Sequence, residues 1–221
     1  MQQTIESSSA KTVSYLALRR AIGVLGVMLP VILAAGYVLT GGEGIRPSIS
    51  DYYHTEMRDL FVGILCAIGV FLWSYRGYEG EADNLAGNIA GLGAVGTALI
   101  PNGTEPSFIA DTISGLIGFN PHSLFAGIFM LAMAFFCLYL FTRSGTTTPG
   151  AKKLVRNRIY RFCGRLIVLF VVLIGVYIAI EKYTSIDLSR IEDVVFWLES
   201  AAIWAFGVAW FIKGDTLFKD A

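Results

Sequence analysis

Six long apolar runs, separated by short polar segments, occupy most of this 221-residue chain. Each run is about as long as an α-helix needs to cross the roughly 30 Å hydrocarbon core of a bilayer. Because the runs are apolar on all sides instead of alternating, they predict helices and not strands. The chain is therefore predicted to be an all-α membrane protein, a six-transmembrane-helix bundle that forms one polytopic domain over residues 1–221. The runs cover residues 21–39, 60–75, 85–101, 122–142, 163–180 and 194–212.

Composition agrees with a chain that folds in lipid. Hydrophobic residues make up 55% of the sequence and charged residues 15%, against about 25% charged in soluble domains. The formal net charge is zero, so no nucleic-acid partner is expected, and membrane lipids are the expected partners. The polar residues beside each run set the predicted helix ends, at about 18–40, 57–76, 84–101, 122–142, 160–181 and 192–213.

The distribution of Lys and Arg predicts the side of the membrane on which each segment lies. When the N-terminus is placed in the cytoplasm, four of the 17 Lys and Arg residues lie outside, namely Arg46, Arg58, Lys182 and Arg190. Cytoplasmic segments of membrane proteins carry an excess of these residues. We therefore expect both termini in the cytoplasm, after six crossings of a bacterial inner membrane.

The third predicted helix is rich in glycine. Gly87, Gly91, Gly93 and Gly96 include small residues four positions apart, a spacing that lets two helix backbones approach closely. The pattern predicts close packing inside the bundle. It also offers a surface on which a second copy of the chain could form a homo-oligomer.

The polar residues at the outer boundary are the most unusual in the chain. Histidine occurs twice, as His54 and His122, and both lie at this boundary. Glu199 lies about two turns into the sixth run, where a charged carboxylate costs a few kcal/mol, so we expect it to face the bundle and to have a partner. The candidate site comprises Ser50, His54, Asp59, His122 and Glu199.

Two chemistries fit these residue types. Imidazole and carboxylate groups are ligands for zinc or another transition metal, so His54, Asp59 and His122 are the candidate metal ligands. A metal ion there would activate a water molecule to attack an amide or ester at headgroup level, with Glu199 among the catalytic residues. In a metal-free variant, Ser50 is the candidate nucleophile and His54 the candidate base.

The spacing of these residues limits how they can meet. In an α-helix Ser50 and His54 share a face, whereas His54 and Asp59 are about 140° apart and cannot bind one ion. The site therefore requires the second helix to begin after His54, with Thr55 as its N-cap and the segment 41–54 folded over the mouth. The glycines and the proline in that segment favour this arrangement.

Three classes of function remain open from the residues alone. The first is a hydrolase that acts on lipid at the outer leaflet. The second is a transporter or channel, which requires a polar path from the outer residues to Asn84 and Asn88. The third is a non-enzymatic component that organises lipid or a partner protein; in that class the outer mouth is structural and the two histidines point apart.

A resemblance to a bacterial membrane protein family rests on residues 50–55 and 58–63. These segments resemble a signature of uncharacterised bacterial multi-pass membrane proteins, and the likeness extends through 75–78 and 156–161. That resemblance implies the multi-pass fold and brings no known activity.

A second resemblance concerns the candidate site. Ser50-x-x-x-His54 followed by Asp59 is similar to the first elements of the alkaline ceramidase and adiponectin-receptor superfamily of intramembrane hydrolases. This likeness implies a lipid hydrolase with these three residues at its centre. Members of that superfamily have seven crossings and a later His-x-x-x-His at their zinc ion, and this chain has neither.

Overall fold

A computed structural model gives the structure of the chain and describes residues 2–75, 81–103, 108–117, 120–143, 150–186, 191 and 193–214. The described residues form helices and short connections and contain no strand, which confirms the predicted all-helical class. A 3₁₀ turn precedes α2 at Ser50–His54, and a π turn at Phe136–Leu140 continues α5. The helices are α1 (Gln2–Leu39), α2 (Arg58–Trp73), α3 (Glu81–Leu99), α4 (Phe108–Ile117), α5 (Pro121–Phe135), α6 (Ala151–Tyr183) and α7 (Val194–Lys213).

Four of these helices are long and apolar enough to cross a membrane. The spans are Leu16–Leu39 of α1, Pro121–Leu140, Ala151–Tyr183 and Val194–Lys213. The other two apolar runs form most of α2, which has 16 residues, and of α3, which has 19. Position 76, where the second predicted helix was expected to end, lies outside the described residues.

The connection between α3 and α5 lies at the end of the bundle that is predicted to face outward, here called the outer end. No helix was predicted between the third and fourth apolar runs, and the structure contains the ten-residue helix α4 there. Phe108 and Leu116 of this helix are 88% and 81% exposed. Apolar side chains that project from a short peripheral helix are typical of a helix that rests in the interfacial layer of a bilayer.

Six helices close into a ring. Following the contacts around it gives the order α1, α2, α3, α5, α6 and α7, and α7 returns to α1. Apart from the closing contact between α7 and α1, neighbours in the ring follow one another in sequence once α4, which lies outside the ring, is left out. This order follows from the short connections, which leave each helix little choice of partner.

The glycines of α3 pack against two neighbours within the same chain. A Cβ at Gly91 would lie 2.8 Å from the carbonyl oxygen of Gly69 in α2, and a Cβ at Gly93 would lie 2.8 Å from the backbone nitrogen of Phe129 in α5. The absent side chains let three backbones approach closely, as the small-residue spacing predicted. These glycine faces are filled by α2 and α5 of the same chain, and the homo-oligomer stays a prediction.

An aromatic cluster fills the ring at the end opposite the outer mouth. Its members are each at most 1% exposed, and the Trp210 ring centroid lies 5.1 Å from that of Phe141 and 5.9 Å from that of Phe136. Residues five apart in an α-helix point about 140° away from each other. The π turn, closed by the bond from Phe141 N to Phe136 O at 2.9 Å, brings both rings to the same side. The cluster comprises Tyr75, Phe136, Phe141, Tyr160 and Trp210.

The Gly93→Ala substitution should destabilise the ring. Its new methyl group would press on the backbone of Phe129, and overpacking of this kind costs about 1–3 kcal/mol. We expect a lower thermal midpoint in detergent, measured by loss of the monodisperse peak after heating. Gly63→Ala is the matched control, because a Cβ at Gly63 meets nothing within 4 Å and alanine favours helix by up to about 1 kcal/mol. Equal midpoints for the two variants would contradict this account.

Candidate active site

A short polar segment, residues 46–57 and here called the mouth segment, crosses the outer end of the ring between α1 and α2. Its 3₁₀ turn is set by a reciprocal exchange: Asp51 N donates to Ser48 Oγ at 3.1 Å, and Ser48 N donates to Asp51 Oδ2 at 3.0 Å. This is the exchange of a helix capping box. Thr55 ends the turn by donating from its hydroxyl to Tyr52 O at 2.9 Å.

The start of α2 agrees with the prediction in part. The helix begins at Arg58, after His54 as required, and the mouth segment does fold over the ring. The N-cap position belongs to Met57 and not to Thr55. Thr55 nevertheless accepts the Met57 N–H with its hydroxyl at 3.1 Å, so it satisfies one of the open donors before the helix.

The mouth segment is tied to α7 by backbone groups. Ile49 N donates to Glu199 Oε2 at 2.7 Å, and Phe196 N donates to Pro47 O at 2.8 Å. The predicted partner for the intramembrane carboxylate is thereby confirmed: Glu199 faces the bundle and accepts a backbone N–H.

Tyr52 anchors the same segment by packing. Its side chain is fully buried, with its ring centroid 5.7 Å from that of Tyr37 and 6.1 Å from that of Phe196. Its phenolic oxygen accepts the Arg46 N–H at 3.3 Å. Burial raises the pKa of the Tyr52 phenol, so the group stays neutral at physiological pH.

The tie to α7 and the fit of Tyr52 place Ser50 against α5. The Ser50 hydroxyl oxygen lies 2.8 Å from His122 Nε2, and His122 Nδ1 lies 2.7 Å from the carbonyl oxygen of Ile100. A carbonyl can only accept, so Nδ1 carries the hydrogen; in the neutral ring Nε2 is then the acceptor and Ser50 donates to it. Ser50 and His122 are 7% and 3% exposed. The arrangement is a nucleophile, a base and a group that orients the base.

The position of His122 depends on the first turn of α5. Asn120 is the N-cap, its side-chain oxygen accepts the His122 backbone N–H at 2.8 Å, and Pro121 occupies the first helical turn. Both residue types are favoured at these positions because the cap oxygen satisfies an open donor and proline needs none. The histidine is thus held by its backbone as well as by its ring.

The turn at 100–103 carries the carbonyl that orients His122. Asn102 Nδ2 donates to Asp51 Oδ1 at 2.7 Å, which fixes this turn to the mouth segment. Asp51, Asn102 and the Ile100 carbonyl were not predicted as site residues. The spacing of Ser48 and Asp51 is a capping-box signal that could have indicated Asp51, whereas a backbone carbonyl has no side-chain signature.

His54 and Asp59 do not join Ser50 and His122. His54 is exposed, and its Nε2 forms a short hydrogen bond with the carbonyl oxygen of Asn102. Asp59 is exposed in the first turn of α2. In an α-helix Ser50 and His54 would share a face, but the 3₁₀ turn that they form has three residues per turn and separates them by about 120°.

The predicted metal ligands are therefore not gathered at one point. Within the described ranges, no group of three or more His, Cys, Asp and Glu residues is placed to hold a metal ion. His122, the buried member of the predicted set, already uses both ring nitrogens on Ile100 and Ser50. The set of His54, Asp59 and His122 does not form a zinc site in this structure.

A cavity of about 860 Å³ opens beside Ser50 and His122, between α5, α6 and α7. Its volume falls in the range of about 300–1,000 Å³ that is common for ligand sites. Along α5 it runs from His122 to Met130, and along α6 from Glu181 to Val171, which correspond to depths of about 12 and 15 Å. The cavity therefore reaches about one leaflet into the bilayer.

The cavity lies beside the second half of α6, which is less buried than the first half. The buried residues of α6 all belong to its first half, from Arg156 to Ile167. Beyond that point Val172 and Val176 are 54% and 49% exposed. The space between this second half and α5 is lined by apolar side chains and two glycines, with the polar residues at the mouth. The lining includes Ala126, Gly127, Met130, Val171, Ile174, Gly175 and Ile178.

The Glu199→Ala substitution should destabilise the mouth segment. The substitution removes the oxygen that accepts the Ile49 N–H, and Ile49 is only 3% exposed, so water cannot replace it. A buried donor without an acceptor costs about 1–3 kcal/mol. Glu199→Gln is the matched control, since its amide oxygen can still accept this N–H. We expect a lower thermal midpoint in detergent for the alanine variant than for the glutamine variant. The same loss in both would show that the hydrogen bond is not what holds the segment.

Comparison with protein-family models, with curated proteins and with solved structures finds no match for this chain. The functional interpretation therefore depends on the geometry of the site.

Proposed function

We propose that the protein is a membrane serine hydrolase that cleaves an ester or amide bond of a lipid at the outer leaflet. Ser50 is the nucleophile, His122 is the general base and the Ile100 carbonyl orients His122. The observation that carries the proposal is the 2.8 Å contact between Ser50 Oγ and His122 Nε2 at the polar end of a deep apolar cavity.

The reaction follows from the tautomer that Ile100 imposes. His122 Nε2 takes the hydroxyl proton as Ser50 Oγ attacks the carbonyl carbon, and the same nitrogen gives that proton to the leaving alcohol or amine as its bond to the carbonyl breaks. Water then attacks the acyl-serine ester and passes its proton to Nε2. Release of the acid returns the proton to Ser50. Here a backbone carbonyl takes the orienting place that a carboxylate has in the Ser-His-Asp triad.

The shape of the cavity supports a lipid substrate. Ser50 and His122 lie at its polar end, and the lining along α5 and α6 deeper in the bundle is apolar. A long acyl chain that lies along α5 would bring a carbonyl near its end to Ser50. Burial of such a chain is favourable by about 0.8 kcal/mol for each methylene removed from water.

This proposal changes the roles predicted from the sequence. The hydrolase class is kept, as is Ser50 as nucleophile, but His122 replaces His54 as the base. The metal-dependent version would need a ligand set that the described residues do not bring together. The likeness to the alkaline ceramidase and adiponectin-receptor superfamily rests on Ser50, His54 and Asp59, does not include the three-histidine zinc site, and stays a prediction.

The two other classes receive less support. A transport path to Asn84 and Asn88 would have to pass the aromatic cluster, and the exposed Asn88 side chain lies outside the cavity. A purely structural mouth is the second candidate. One observation favours it: His54 and His122 bond to different carbonyls, those of Asn102 and Ile100.

For the topology, we propose six crossings of a bacterial inner membrane with both termini in the cytoplasm. The closed ring of six helices and the placement of Lys and Arg support it. Helices α2 and α3 would span about 24 and 28 Å, somewhat less than the hydrocarbon core, and a local thinning of the bilayer accommodates such a mismatch.

Single-cysteine variants test this topology in a background where Cys66, Cys137 and Cys163 are replaced. We expect Glu43→Cys to react with a membrane-impermeant maleimide in intact cells, and Ala151→Cys to react only after permeabilisation. Glu81→Cys distinguishes six crossings from four. This residue lies on the cytoplasmic side if α2 and α3 cross the membrane and on the outer side if they do not. Labelling of Glu81→Cys in intact cells would refute six crossings.

The proposed nucleophile and base can be tested in detergent micelles. Wild-type protein should react with a long-chain fluorophosphonate and hydrolyse a long-chain p-nitrophenyl ester. Ser50→Ala and His122→Ala should each lower the hydrolysis rate by about 10³-fold or more, whereas the matched control His54→Ala should retain it. Undiminished hydrolysis by Ser50→Ala would overturn the proposal, and a loss confined to His54→Ala would return the base to the residue first predicted.

A further inference from the structure

The charged side chains that line the cavity are all acidic. They are Asp51, Glu181 and Glu199, and no Lys or Arg is among the described residues of the lining. Two arginines flank the 3₁₀ turn at equal distance in sequence, and neither lines the cavity. Arg58 covers the ring of Tyr53 at 4.5 Å, and Arg46 lies beside Tyr52, to whose phenolic oxygen its backbone N–H donates. The cavity therefore presents acidic side chains at its polar end and apolar surface below it.

The two carboxylates at the mouth are held by neutral donors. Glu199 accepts from Ile49 N, and Asp51 accepts from Ser48 N and from the Asn102 amide. These bonds fix the positions of the oxygens, and no Lys or Arg is among the described lining residues beside them. A ligand cation beside them would gain Coulomb energy in a region of low dielectric, and a ligand anion would lose it.

The deeper part of the cavity has room for one chain. A Cβ at Gly127 or at Gly175 meets nothing within 4 Å, although both residues line the cavity. The two glycines lie on facing helices, α5 and α6, so the space between these helices is open at both walls. A volume of about 860 Å³ suits a ligand of one chain and a small head.

We propose that the cavity takes a single-chain amphiphile with a cationic amine head, in preference to an anionic lipid. The chain lies between Gly127 and Gly175, and the amine lies beside Asp51 and Glu199. This inference rests on the proposed function, since it names the substrate class of the same site: an ester or amide that joins a long acyl chain to an amine-bearing alcohol or amine.

Binding and hydrolysis are measured separately, so that the inferred ligand preference and the proposed hydrolase function can each be contradicted independently. For binding, the probes are hexadecyltrimethylammonium and hexadecyl sulfate, which share a chain, at low mole fraction in maltoside micelles. The readout is the rise in thermal midpoint of Ser50→Ala, which cannot hydrolyse, because a ligand that binds the folded state stabilises it. For hydrolysis, the probes are palmitoylcholine and a palmitoyl ester with a carboxylate on the alcohol.

We expect the cationic probe to bind about tenfold more tightly than the anionic one, or better, and palmitoylcholine to be the faster substrate. Gly127→Leu should abolish binding by filling the cavity, whereas Gly63→Leu, also at an open helix position but outside the cavity, should retain it. Glu199→Gln should reduce the preference for the cation while keeping the bond to Ile49.

Equal binding of both probes, or cation binding that survives Gly127→Leu, would overturn the inference. Hydrolysis of neutral esters without a preference for the cation would do the same and leave the proposed function standing. A third outcome is that the cation binds, that Gly127→Leu abolishes this binding, and that wild-type protein hydrolyses neither ester. This outcome would contradict the proposed hydrolase function and support the binding site for a cationic amphiphile.

Discussion

The hydrogen bond from Ile49 N to Glu199 is the contact on which the outer half of the molecule depends. In a bilayer, backbone groups outside a helix have no water to bond with, so an irregular segment needs partners from the protein. Glu199 and the Pro47–Phe196 bond provide them for the mouth segment. With the segment held there, Ser50 reaches His122, and Asp51 reaches Asn102. A carboxylate in an apolar helix, which is costly in isolation, is thus what allows a polar turn to lie across the ring.

The ring differs between its two ends. At one end the aromatic cluster is fully packed around Trp210, and the π turn of α5 adds a second phenylalanine to it. At the other end a cavity of about 860 Å³ lies between α5, α6 and α7, beside the less buried half of α6. Dense packing holds the helices together where no ligand enters, which permits the open end to persist. This division suits a protein that admits a molecule from one leaflet better than one that passes a solute through.

The fold was largely readable from the sequence, and the site was not. Long apolar runs specify helices because each must satisfy its backbone internally, and every run does lie mostly within one helix. The glycines of α3 correctly indicated close packing, and Glu199 correctly indicated a buried partner. Helix α4 was missed because ten residues near an interface carry too weak a pattern to separate from a loop.

The predicted pairing of Ser50 with His54 is not found in the structure, for a geometric reason. The i, i+4 relation between Ser50 and His54 assumed 3.6 residues per turn, and the capping exchange between Ser48 and Asp51 tightens the turn to three. The true partner, His122, lies 72 residues away in sequence. The group that orients His122 is a main-chain carbonyl, which every residue type carries, so the sequence contains no signal for it. Local spacing fixes which residues share a face, but only tertiary packing decides which faces meet.

The glycine-lined gap between α5 and α6 has one more consequence. Ala126, Gly127 and Met130 follow one another down α5, and Val171 lies at the far end of the α6 lining. With the reacting carbonyl fixed at Ser50, the distance from Ser50 to Met130 and Val171 limits how many carbons fit below it. Under the proposed function, the length of the gap would therefore limit the length of the acyl chain, and enlarging one lining side chain at a time would shorten the chain that fits.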